Sequence, residues 1–167
     1  MKISTEVIKK VRDTTSAGIL DCKDALLEAG GDAEKAVEVL KCRGLAIAEK
    51  KGERIASEGV IDAYIHHNRK LGALIELNCE TDFVAHTDEF RQLAYDLAMQ
   101  VAATSPQFIT AEEMPAESEL DPKVVCLLQQ PSIKEPDRTV GEIIADTIAR
   151  VGENIKVRRF ARFEPGC

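Results

Sequence analysis

Leu71-Gly72-Ala73-Leu74-Ile75-Glu76-Leu77-Asn78-Cys79-Glu80-Thr81-Asp82-Phe83-Val84-Ala85 is the stretch on which the fold of this chain turns. Leu71, Ala73, Ile75 and Leu77 alternate with their neighbours, the period of a strand with one buried face. Beyond Leu77 the strand gives way to a helix, which Thr81 or Asp82 is placed to cap. Upstream, Val60, Ile61, Ala63, Tyr64 and Ile65 read as a partner strand, and the polar run His66 to Lys70 joins the two as an antiparallel hairpin. Two readings of the corner after the second strand are open. Either Phe83 folds onto its own helix as a staple, or it protrudes as an anchor with Asp82 beside it.

Downstream, Phe90, Leu93, Ala94, Leu97, Ala98 and Val101 mark a long amphipathic helix. Pro106, Pro115, Pro122, Pro131 and Pro136 then punctuate an irregular middle with one short apolar run, Val124 to Leu128. Val140, Ile143, Ile144, Thr147, Ile148 and Val151 form a further helix ending at Gly152, and Ile155 to Phe160 reads as a third strand. Hairpin, helix, helix and strand in this order imply an α+β layer, an antiparallel sheet with helices packed on one face. Two helices from one chain leave Ile61, Ala63, Ile65 and the Leu71 set incompletely covered, so a sheet-to-sheet homodimer is expected.

The first fifty residues follow a helical period instead. Ser4 caps a helix with Val7, Ile8 and Val11 on one face; Thr14-Thr15-Ser16 breaks it and offers a new cap. Ile19, Leu20, Lys23, Ala25, Leu26 and Leu27 describe a second helix, stopped by Gly30-Gly31. Asp32 caps a third, with Ala36, Val37 and Leu40 inward, which is expected to close near Arg43-Gly44. Leu45 to Lys51 reads as one more helical stretch leading into a basic joint at Gly52-Glu53-Arg54. The expected organisation is a small three-helix bundle with linker over 1–52 and an α+β core over 53–167.

Composition narrows the function classes. Five Phe, two Tyr and no Trp leave Ile, Leu, Val and Ala to build the core. The formal charge of -7 lies in the core part, since residues 1–56 carry 11 basic and 10 acidic side chains. An acidic body repels a phosphate backbone, so no direct nucleic-acid partner is expected. No run approaches the ~20 apolar residues of a membrane span, and Met1 to Glu6 has no signal-peptide pattern; a cytoplasmic protein is expected. The five cysteines have no CxxC spacing and read as free thiols, with Cys167 exposed and able to cross-link. There is no phosphate-binding glycine loop. His66, His67 and His86 do not make a metal set, because adjacent His66 and His67 are expected to diverge; Cys79 with His86 lacks a third orienting group. No cofactor, metal or catalytic residue is expected.

Four blocks in order carry a resemblance. Thr14 to Leu26 (TTSAGILDCKDAL) is similar to the N-terminal signature of bacterial and organellar elongation factor Ts, with Thr-Ser where the family starts Thr-Gly. Gly31-Asp32-Ala33-Glu34-Lys35-Ala36 resembles the start of that family's third helix. Asn78-Cys79-Glu80-Thr81-Asp82-Phe83-Val84-Ala85 resembles its most distinctive run, and Gly152 to Arg159 its C-terminal strand. The resemblance implies a bundle similar to ubiquitin-associated domains followed by a dimerisation core. It implies a non-enzymatic guanine nucleotide exchange factor that binds elongation factor Tu, GDP-bound and nucleotide-free. Thr81, Asp82, Phe83 and Val84 would displace the partner's magnesium ion, the aromatic of Phe83 wedging between its helices. Arg12, Asp21 and Lys23 on the bundle would make a second contact. The chain departs from long members in having one core segment instead of two related halves, and its middle is brief even for a short member. Two other readings compete: a binding module whose bundle recognises a helix or a ubiquitin-like surface, and a thiol or metal enzyme using Cys79 and His86.

Overall fold

The computed structural model describes residues 3–15 and 17–166. Its helices are α1 (Thr5–Thr15), α2 (Ile19–Glu28), α3 (Ala33–Lys51), α4 (Asp82–Ala85), α5 (Asp88–Thr104), α6 (Pro122–Val125) and α7 (Val140–Val151). Its strands are β1 (Glu58–Ile65), β2 (Gly72–Cys79) and β3 (Lys156–Phe163), an antiparallel sheet in the order β1-β2-β3. The α+β expectation holds, with helices first and a helix-backed sheet after them. Cys167 and Ser16 lie outside the described residues, and with them the cross-link expected of Cys167 and the cap offered by Ser16.

β2 is central, and its alternation is resolved as expected: Ala73, Ile75, Leu77 and Cys79 are buried against the helices. Phe90, Ala94, Leu97, Ala98 and Val101 of α5 and Ile144 and Ile148 of α7 close over that face. The Leu71 set is therefore covered, and the open face is the other one. Ile61 and Ile65 are 70% and 64% exposed, with Leu74 and Phe163 beside them through the strand registers. The β2–β3 register shifts between Glu76 and Leu77, and beside the shift Arg159 Nε donates to Glu76 Oε2 at 2.6 Å.

Local signals account for most element ends. Ser4 Oγ accepts from the Val7 N–H, and Asp32 accepts from the Glu34 and Lys35 N–H groups. Thr139 and Glu142 form a reciprocal capping box at the start of α7. The N-cap of α2 is Gly18, which carries no side chain to bond the helix. Val11, Cys22, Ala25, Leu26, Ala36 and Leu40 make a hydrophobic cluster of their own inside the bundle.

The third helix does not close at Gly44. It runs unbroken from Ala33 to Lys51, with Gly44 buried where α3 packs on α7. A glycine ends a helix only where the chain takes a left-handed turn; in mid-helix it costs about 1 kcal/mol relative to Ala, which tertiary packing outweighs. Here that packing is supplied by α7, with Asp146 and Ala149 opposite the glycine. The stretch Leu45 to Lys51 is thus the second half of one long arm, and Ala48 joins the core of the α+β part.

The Pro-rich middle is anchored by two buried glutamines. Gln100 Nε2 donates to Gln130 Oε1 at 3.1 Å and to the Pro131 carbonyl at 3.2 Å, while its Oε1 accepts from the Ile133 N–H. Gln130 Nε2 donates to the Val124 carbonyl at 2.6 Å. These bonds satisfy backbone groups that a segment without regular pairing would otherwise leave unpaired.

Candidate functional site

At the end of β2 the chain leaves the sheet through Glu80 and Thr81 and enters α4, a single turn. The corner is fastened on both sides of Phe83. Val84 and Ala85 are buried in the core, 9% and 4% exposed. Thr87 donates to the Val84 carbonyl at 2.8 Å and accepts from the Phe90 N–H, capping α5. On the other side, the buried Cys79 Sγ donates to the Thr81 carbonyl at 3.1 Å. Phe83 itself is 83% exposed. The staple reading fails: Phe83 protrudes, an aromatic ring in solvent between backbone segments that are buried or hydrogen-bonded.

Thr81 is the N-cap residue of α4 by position, yet its side chain does not bond that helix. Instead its hydroxyl donates to Glu153 Oε1 at 2.6 Å, and its N–H donates to Glu153 Oε2 at 3.0 Å. The bond is matched by a reciprocal one, since Glu80 Oε1 accepts from the Asn154 N–H at 2.6 Å. Asn154 Nδ2 in turn donates to the Arg54 carbonyl at 2.7 Å, and the Lys51 ammonium donates to the Gly152 carbonyl. Glu80 also faces the Arg54 guanidinium at 3.6 Å. Gly152 makes this possible: at φ 78° it ends α7 in the left-handed region and turns the chain so that Glu153 faces Thr81. The corner is thereby joined to the C-terminal end of α3. Glu80, Glu153 and Asn154 escaped sequence reasoning as individual site residues, because their partners lie 72 to 74 positions away. The only sequence signal was that both halves of the contact belong to distinctive blocks.

Asp82 is exposed beside Phe83, and Val84 places its side chain inward, so the four corner residues have different environments. Arg12, Asp21 and Lys23 are all exposed on the bundle, Arg12 on the last turn of α1 and the other two on α2. Two positions apart on a helix, Asp21 and Lys23 do not share a face. Asp21 lines a cavity of about 730 Å³ between the bundle and the segment Lys134 to Arg138; Arg12 and Lys23 do not.

The thiol-enzyme reading finds no support in the geometry. Burial, and secondarily the nearby Glu153 carboxylate, pushes the Cys79 thiol up to about 11, so the thiolate needed for attack is disfavoured. His86 Nδ1 lies 2.6 Å from the Asp82 carbonyl oxygen, a backbone partner, while Cys79 bonds Thr81. His66 and His67 do not diverge as expected: their rings lie 4.2 Å apart, and His66 Nδ1 is 2.9 Å from Tyr64 Oη. Among the described residues there is no cluster of His, Cys, Asp and Glu able to hold a metal ion.

Comparison with known proteins agrees with the four sequence blocks. The family model described as elongation factor TS matches residues 2–123. The chain belongs to the elongation factor Ts family. Elongation factor Ts of Carboxydothermus hydrogenoformans is 46% identical, over 98% of this chain and 89% of that protein. Elongation factor Ts of Syntrophomonas wolfei is 46% identical over 98% and 91%, and that of Thermotoga petrophila 47% over 99% and 98%. These alignments run over 194 positions against a chain of 167 residues, so these relatives carry residues that this chain lacks.

Proposed function

We propose that this chain is a guanine nucleotide exchange factor for elongation factor Tu, acting in the cytoplasm during translation elongation without covalent chemistry. The observation that carries this reading is Phe83, 83% exposed on a corner whose flanking residues are buried or hydrogen-bonded. Burying such a ring contributes roughly 1.5–3 kcal/mol, enough to hold a partner helix in a displaced position. Asp82 brings a carboxylate to the same place, and Thr81 and Val84 set the backbone that presents the pair. The partner's magnesium ion bridges nucleotide phosphate and protein oxygens, so a shift of its ligands weakens GDP. By linkage, whatever weakening the factor imposes on GDP, GDP imposes equally on the factor, and a ternary complex forms and decays readily.

The bundle is the second docking unit in this proposal, with Arg12, Asp21 and Lys23 available at its surface. Because the long arm α3 packs on α7 and ends against the Gly152 turn, bundle and corner meet the partner in a fixed relation. The open face of the sheet, with Ile61, Ile65, Leu74 and Phe163 exposed, is assigned to a second copy of this chain.

The test is release of a fluorescent GDP analogue from elongation factor Tu. Acceleration by substoichiometric chain, with tighter binding to the nucleotide-free GTPase than to its GDP form, is the expected result. Stoichiometric binding without acceleration would leave a docking module and sink the exchange reading.

A further inference from the structure

We propose that Glu153 is a positioning residue for nucleotide release, and that its carboxylate keeps Phe83 outside the corner and ready to insert. This inference rests on the exchange reading above and adds to it the residue that sets the geometry of the wedge.

An aromatic ring in water is driven to fold onto any apolar surface that a shift of the chain brings to it, and Val84 and Ala85 of the same turn would offer theirs only by leaving the core in which they are buried. The corner must resist that collapse. Backbone anchoring from the C-terminal side comes from Thr87, whose hydroxyl bonds the Val84 carbonyl. From the N-terminal side the bond beyond the corner's own strand and turn that lies nearest the ring is that of Glu153, which takes both the N–H and the hydroxyl of Thr81 at 3.0 and 2.6 Å. A carboxylate accepting two hydrogen bonds from one residue fixes that residue's direction as well as its position. Thr81 spends its hydroxyl here although it stands where a threonine would ordinarily cap the following helix. The helix gives up a cap, and the corner gains a tie across 72 positions of chain.

The tie also runs the other way. Glu80 holds the N–H of Asn154, the residue after Glu153, so the two turns grip each other through two carboxylates. Asn154 carries the grip on to the carbonyls of Gly52 and Arg54, where the arm from the bundle ends. Neither carboxylate is exposed enough to meet a partner first: Glu80 and Glu153 are half-buried, while Asp82 and Phe83 are outside them. Glu153 therefore acts through Thr81 and not by contact with the partner.

The experiment measures release of a fluorescent GDP analogue from elongation factor Tu at saturating chain, in a double-mutant cycle of Glu153 and Phe83. Glu153→Ala removes both bonds and is expected to lower the maximal release rate about tenfold. Glu153→Gln keeps the shape, its carbonyl accepting from the Thr81 N–H and its amide donating to the hydroxyl, and is expected to restore most of the rate. In the Phe83→Ala background, Glu153→Ala is expected to change nothing further, because there is no ring left to position. Amide exchange of the full chain supplies the second measurement: faster exchange confined to residues 81–84 in Glu153→Ala, with the sheet protected as before. Equal losses from Glu153→Ala in both backgrounds, or an unaltered Thr81 amide, would reduce Glu153 to a general fold-stabilising residue and overturn the proposal. Equal acceleration by wild type and by Glu153→Ala overturns this inference alone; no acceleration by wild type overturns the exchange reading and this inference together.

Discussion

Cys79 and Cys42 illustrate how far one residue type separates by environment. Cys79 is fully buried at the end of β2 with its thiol pushed up to about 11, whereas Cys42 is exposed on α3. Alkylation of the native chain at mildly alkaline pH is expected to label Cys42 and spare Cys79, with mass spectrometry of peptides as the readout. The raised value also makes stability depend on pH. In the unfolded chain the thiol ionises near 9.0, and in the folded chain near 11. Below the first value it is neutral in both states and costs nothing. As pH rises between the two, only the unfolded state gains the ionised form, so stability is lost. Urea midpoints of wild type and Cys79→Ala should therefore converge with rising alkalinity, the wild type falling faster; parallel curves would show that Cys79 is not the group responsible.

At the scale of elements, Gly44 gives a prediction with a definite sign. An added Cβ would meet Asp146 Oδ1 at 3.6 Å and Ala149 Cβ at 4.0 Å, ordinary contact distances. Gly44→Ala should accordingly stabilise the chain by about 0.5–1 kcal/mol through helix propensity, seen as a rise in thermal midpoint. A fall instead would mean that α3 and α7 approach more closely than this. The middle segment argues the opposite case: Gln130→Leu removes one of the two acceptors of the Gln100 amide and the side-chain donor to the Val124 carbonyl, and should cost about 1–3 kcal/mol by chemical denaturation. These two positions also show where sequence reading ends. The alternation of β2 and the periods of α5 and α7 were legible because burial repeats every second or every third to fourth residue. Gly44 was misread because a glycine names a possible stop, and only its neighbour in space shows that the helix continues. Gln100 and Gln130 carry no periodic signal at all, and the corner's own tie, Thr81 to Glu153, joins residues too distant for any local rule. The exposed Phe83 was legible as one of two alternatives, and it took the buried Val84 and pinned Thr81 to decide between them.

For the whole molecule, the sheet is the feature that a single chain leaves unfinished. One face is closed by α5 and α7, and the other presents Ile61, Ile65, Leu74 and Phe163 to solvent with the Glu76–Arg159 ion pair among them. Light scattering is expected to give twice the chain mass at micromolar concentration, and Ile61→Lys is expected to return it to the monomer; a monomeric wild type would contradict the dimer. In such a dimer each copy would still carry its own corner and its own bundle, because α3 packs on α7, which closes the other face, and the corner is tied to the turn that follows α7. The central claim is that a rigid corner uses Phe83 to loosen nucleotide on a partner, and GDP release from elongation factor Tu by wild type and Phe83→Ala tests it most directly. An exposed side chain leaves stability within about 0.5 kcal/mol when truncated, so the variant should keep its fold and thermal midpoint while its release rate falls by a factor of ten or more, about the effect of losing one well-buried aromatic contact. Equal acceleration by both chains would move the exchange activity away from Phe83 and contradict the account.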